Sequence, residues 1–248
     1  MPLEWLLLGL AALVIGVAKT SFGGLASLAV ALLAFLLPTT KEATAATLLL
    51  LITGDVVAVL RYRSSTDWKL VRGLLPAVVP GLLLGAWFLS AVDDTILRRS
   101  IGGLLLVFVV VQLIDRLRRN RPTDSPDDGP PHRALTIGAG VAAGFTTMAA
   151  NAAGPVMALY LQWAKVDKMR FLGTGAVYFF IINLAKSPLT AGLGLFTPTV
   201  LTTAAALVPV VLLGTLVGIA IIGKVPQRAF DIATLVTSAI AAAALIVF

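Results

Sequence analysis

The chain carries apolar runs too long and too numerous for the core of a soluble protein. They lie near residues 3–37, 43–60, 73–92, 96–114, 134–164, 171–190, 199–223 and 229–248. About 20 consecutive apolar residues cross a bilayer as a helix. Membrane barrels instead use short alternating strands, which this sequence lacks, and helices are the remaining way to pair every backbone group in lipid. Composition agrees, with 58% hydrophobic and 12% charged residues and a mean hydropathy of +0.98, outside the range of soluble domains. The expectation is an all-α, polytopic membrane protein without an independently folding soluble domain.

The first run begins at Leu3 with Glu4 as its only early charge. Without a basic segment before it, it reads as part of the fold and not as a cleaved signal. The absence of cysteine excludes disulfides, iron–sulfur clusters and thiol chemistry, and the single His132 lies in a polar stretch, so no metal or cofactor is expected. The net charge of +7 reads as cytoplasmic loops of a membrane protein, with no nucleic-acid partner.

The longest polar stretch, DRLRRNRPTDSPDDGPPHR from Asp115 to Arg133, has nothing to bury and reads as a cytoplasmic linker. It divides the chain into membrane repeats at 1–114 and 134–248 joined by the linker 115–133, with four apolar runs in each half. Each half opens on a long run with a polar, small-residue break, AKTSFGGL (Ala18–Leu25) in the first and MAANAAGPV (Met148–Val156) in the second. The runs that follow carry lone polar residues at Asp55 and Asn183. As one straight helix, residues 3–37 would be about 50 Å long against a hydrocarbon core of roughly 30 Å. Two arms that enter and return on one side fit better, an arrangement allowed where the tip is buried in protein or faces water.

Charge placement separates the topologies. If all eight runs cross, the Lys and Arg residues other than Lys19 divide ten against eight; if runs one and five are re-entrant, they divide fourteen against four. The positive-inside rule prefers the second. The halves are then inverted repeats with both termini outside, and the tips are expected to meet near mid-membrane.

Lys19 is the most unusual residue, because apolar sequence on both sides keeps it from a surface. A charge inside the membrane is costly and points to function; the alternative is an ion pair with Asp55 or a cation at a helix C-terminus. Gly23 and Gly24 allow a tight turn, after which the next helix can aim unpaired N–H groups into the membrane, an anion-attracting arrangement. At the second break Asn151 offers donors and an acceptor, and Ala153 precedes Gly154-Pro155, which restarts a helix. Close helix packing through the small residues is the alternative there. Asn183 and Lys186, three apart, share a helix face, although Lys186 could simply snorkel. Thr20, Ser21, Thr146, Thr147 and Thr174 could donate to an oxyanion or bond to their own helix backbone. Asp55, the lone acid well inside a run, reads as a counter-ion to Lys19 or as a carrier of a coupling proton.

These motifs resemble the TauE/SafE family of sulfite exporters, also called the toluene sulfonate uptake permease family. The likeness runs from AKTSFGGLASLAVALLAFLLP to GFTTMAANAAGPVMALYLQWAKVDKMRFLGTGAVYFFIINLAKSP, almost the whole chain. The second stretch is the more specific, with GF, ANAAGP, YL, F-x-GT and N-x-x-K-x-P in order. Ala152 and Ala153 depart from the pattern where members often carry a further glycine. The resemblance implies transport of sulfur-containing anions such as sulfite or organosulfonates in a bacterial inner membrane.

An intramembrane enzyme would need a nucleophile with a base, or a metal set, and the apolar runs contain no cysteine, histidine or paired carboxylates. A scaffold or assembly protein would not need buried polar breaks. The reading is therefore an exporter of small sulfur-containing anions, bound between the broken helices by Lys19, Thr20, Ser21, Gly23, Gly24, Asn151, Ala153, Gly154, Asn183 and Lys186. Import of sulfonates or another small anion is the alternative. The expected partners are the anion and membrane lipid, and the chain could pair as a homodimer.

Overall fold

The fold is that of a computed structural model, which describes residues 2–21, 25–97 and 133–226 and isolated positions between 99 and 114 and between 229 and 236. The expected runs at 96–114 and 229–248, and the linker up to residue 132, lie wholly or mostly outside the described residues.

The described residues are helical, with no strand among them. In chain order the elements are α1 (Pro2–Thr20), α2 (Leu25–Leu36), α3 (Thr40–Tyr62), a 3-10 turn (Arg63–Ser65), α4 (Trp68–Ala91), α5 (Arg133–Ala150), α6 (Gly154–Trp163), α7 (Lys168–Gly192) and α8 (Pro198–Ile222). Among the described residues, four segments are long and apolar enough to cross a membrane: Leu3–Thr20, Thr40–Ser65, Trp68–Ala91 and Pro198–Ile222. Large apolar side chains such as Leu6, Leu60, Trp87, Leu213 and Leu216 project outward. Apolar surface of this extent would drive association in water, and lipid is the solvent it suits.

Side-chain caps set the starts of the long helices. Thr39 accepts from Glu42 N at 3.1 Å, Asp67 from Lys69 N at 3.0 Å, Asp167 from Met169 N at 2.9 Å and Thr197 from Val200 N at 3.2 Å. Each satisfies donors that a helix start leaves open. Asp94 ties the far end of α4 to the start of α3, accepting from Thr40 N at 2.6 Å and Thr40 Oγ1 at 2.7 Å.

Glycines control how the helices pack. A Cβ at Gly16 of α1 would collide with the Val211 carbonyl of α8, and one at Gly214 of α8 with the Leu13 carbonyl of α1. In the same way Gly81 of α4 faces the Val141 carbonyl of α5, and Gly144 of α5 faces the Val78 carbonyl of α4. One turn further, Gly218 lies against Thr20 and Gly85 against Met148. Both α4 and α8 thus present glycines four apart, the spacing that lets helix backbones touch in lipid. The order of these contacts makes α1 parallel to α8 and α4 parallel to α5. By contrast, α3 and α7 run antiparallel, with Asp55 beside Asn183 and Thr66 donating to the Gly173 carbonyl at 3.1 Å.

Both long runs break where the sequence turns polar. α1 ends at Thr20 and α2 begins at Leu25, while Ala150 and Gly154 bound the second break. There Asn151 adopts a left-handed φ of 54°, a conformation Asn tolerates at helix ends. The Ala152 N–H returns to the Thr146 carbonyl at 3.1 Å. The arms are unequal: α1 and α5 have 19 and 18 residues, α2 and α6 only 12 and 10. The tips accordingly do not meet end to end. Thr20 lies by Tyr62 at the end of α3, and Asn151 by Thr44 near its start.

Candidate functional site

Between the two breaks, α1, α3, α5 and α7 bring their polar residues together. Lys19 Nζ lies 2.6 Å from Asp55 Oδ1, with the Asp55 side chain fully buried and that of Lys19 only 9% exposed. This contact is a close, buried ion pair. Asn183 Nδ2 donates to the other carboxylate oxygen at 2.6 Å. Gly54 makes room for the pair, since a Cβ there would strike the Lys19 stem. The Lys19 ammonium also sits 4.8 Å from the centre of the Phe179 ring, a cation–π distance.

The second cation is held differently. Lys186, buried in α7, donates to the Thr147 carbonyl at 2.9 Å, to Thr147 Oγ1 at 3.0 Å and to Asn151 Oδ1. An ammonium has three donors, and all three are used on neutral acceptors. Asn151 is turned by its own donor, Nδ2, on the Thr44 carbonyl at 2.8 Å. The left-handed turn at Asn151 thus carries one amide that bridges α3 and α7.

A cavity of about 60 Å³ lies among these groups. Lys19, Ser21, Asp55, Thr147, Asn151, Gly154 and Asn183 face it, together with an apolar wall that includes Leu51, Phe171, Leu172 and Phe179. A water needs about 10–15 Å³ by this measure, so the space suits a few waters or one compact ion. Lys186 stands directly behind Thr147 and Asn151.

Other candidates lie elsewhere or have other partners. Thr20 is buried with its hydroxyl on the Thr215 carbonyl at 3.0 Å, and its own carbonyl accepts from Tyr62 Oη at 2.8 Å. It locks the end of α1 and does not face the cavity. Ser21 does face it, while its hydroxyl donates to the Val17 carbonyl at 2.5 Å. Thr146 bonds back to the Ala142 carbonyl at 2.7 Å, and Thr174 accepts from Asp67 N at 2.9 Å. These two hydroxyls complete helix ends and backbone, the competing use open to such side chains. Ala153 is buried outside the cavity wall, and Gly23 and Gly24 lie outside the described residues.

Two contributors, Phe179 and Tyr62, carry no mark in the sequence. Phe179 precedes Asn183 and Lys186 by four and seven residues, a spacing that repeats on one helix face, but an aromatic in an apolar run gives no distinguishing signal. Tyr62 is a similar case, recognisable as a latch only once α1 is seen to end beside it.

An apolar helical exterior around a small cavity lined by charged and polar side chains is the build of a helical membrane protein. The family model described as Sulfite exporter TauE/SafE matches residues 8–245, and the chain belongs to that family. It is therefore a member of a membrane transporter family for sulfur anions and not an enzyme. No curated protein and no solved structure matches the chain.

Proposed function

We propose that the protein carries small sulfur-containing anions, such as sulfite or compact organosulfonates, out across a bacterial inner membrane. The observation that carries this reading is the convergence of Lys19, Asn151 and Asn183 on one buried cavity, with Lys186 behind it. Lys186 is the decisive member. A buried ammonium surrounded only by neutral acceptors is poorly compensated, and an anion in the cavity supplies the missing charge. Outward movement is favoured by an inside-negative potential, by about 2.3 kcal/mol per charge per 100 mV.

The two halves work as inverted repeats of three crossings each, with α1–α2 and α5–α6 as re-entrant pairs. Helix direction supports this. If all runs crossed, α3 and α7 would point the same way, whereas they are antiparallel with Asp55 opposite Asn183. The matched glycine contacts of α1 with α8 and of α4 with α5 repeat under exchange of the halves, as such a relation requires.

Flux into and out of liposomes containing the purified protein tests the function. Sulfite, thiosulfate, sulfoacetate and sulfate are offered under an imposed potential, with and without a pH gradient. Potential-sensitive movement of at least one is expected; protein-independent leakage for all of them would contradict the reading.

A further inference from the structure

The charges around the cavity define the valence of what can occupy it. Lys19 from α1 and Asp55 from α3 cancel at 2.6 Å, leaving Lys186 from α7 with neutral acceptors only among the described residues. The remaining wall residues are uncharged, including Ala26 of α2, Thr147 of α5, and Asn151 and Gly154 at the second break. With each group in its ordinary ionised form, the described residues around the cavity sum to one positive charge, and burial in lipid penalises any departure from neutrality once it is filled.

A second observation concerns hydrogen bonding. Asn183 faces the cavity, and its Nδ2 is committed to Asp55. Its Oδ1 is buried and has no partner. An orphaned acceptor on a ligand cavity matches a ligand that brings a donor. A fully ionised oxyanion has none, whereas a singly protonated one has an O–H.

We infer that the carried species is a compact monoanion, for sulfite its hydrogen form, and that a doubly charged oxyanion crosses only with a proton. This rests on the transport reading above and deepens it. The O–H of the anion donates to Asn183 Oδ1, while its negative oxygens balance Lys186 across Asn151 and Thr147. The proton travels on the anion itself, so Asp55 remains ionised and paired with Lys19.

The test is the charge moved per sulfur atom. Radiolabelled sulfite is exchanged across liposomes containing the full chain, with the potential clamped by a potassium gradient and ionophore, and the reversal potential is read at several pH values. One net negative charge per sulfur throughout is expected; two would overturn the inference. Asp55→Asn adds a second uncompensated charge to the site and should move the sulfate-to-sulfite flux ratio at least tenfold toward sulfate. An unchanged ratio in a folded variant would also overturn it. Should that variant not fold, the reversal potential of the unaltered protein decides alone. Absence of flux for every sulfur anion would remove the transport reading itself, whereas flux at two charges per sulfur would remove this inference only.

Discussion

Lys186 Nζ donates to both the carbonyl and the hydroxyl of Thr147, at 2.9 and 3.0 Å, so a helix that crosses the fold grips the last turn of a helix that ends inside it. Thr147 in turn faces the cavity. One side chain therefore sets both the position of the second break and the charge of the site.

Replacing this lysine separates the two roles. Lys186→Gln keeps an amide donor for Asn151 or Thr147 and removes the charge, so the loss of a buried ion's desolvation cost offsets the weaker hydrogen bonding. Sulfite transport should fall at least tenfold while the melting temperature in detergent moves by less than about 4 °C, the shift expected for roughly 1 kcal/mol in a chain of this size. Wild-type flux in the variant would show that the charge is structural.

The Lys19–Asp55 pair predicts non-additivity. Removing one partner strands a buried charge at a cost of about 3–5 kcal/mol, while replacing both by apolar residues is far milder. Lys19→Met and Asp55→Leu should each lower stability in reversible unfolding, and the double variant should be more stable than Asp55→Leu alone. Simple addition of the two losses would mean that the ions do not depend on each other.

Glycine substitutions report on the helix crossings. Gly214→Ala places a methyl against the Leu13 carbonyl, and Gly81→Ala places one against that of Val141. Overpacking against backbone costs about 1–3 kcal/mol. Gly9→Ala and Gly138→Ala meet nothing within 4 Å and should unfold like the parent protein. Equal melting temperatures for all four would contradict the close approach.

Topology can be read chemically because the chain has no cysteine. Ser64→Cys and Thr199→Cys, both at exposed positions, should react with a membrane-impermeant maleimide from opposite faces, Ser64→Cys from the cytoplasmic one. Labelling from a single face would favour eight full crossings.

The breaks were legible in the sequence because polar and small residues interrupt otherwise continuous apolar runs. Asp55, Asn183 and Lys186 stood out for the same reason, since a lone polar group in lipid must have a partner or a purpose. The lengths of the arms were harder to read. A break fixes where a helix ends but not how deep its tip lies, and that depth depends on the glycine seams that set α1 on α8 and α5 on α4. Hydroxyl roles were also hidden. Thr20, Thr146 and Thr147 are chemically alike, and only packing decides that Thr20 and Thr146 serve backbone while Thr147 faces the cavity.

The transported anion should sit in the cavity between Lys19, Asn151 and Asn183. Selenite in place of sulfite makes that position directly visible by anomalous diffraction from crystals of the full chain. One dominant selenium peak is expected within hydrogen-bonding distance of Asn183 Oδ1 and bordering Asn151 and Thr147. A dominant peak elsewhere in the protein, with this cavity filled by water alone, would contradict it.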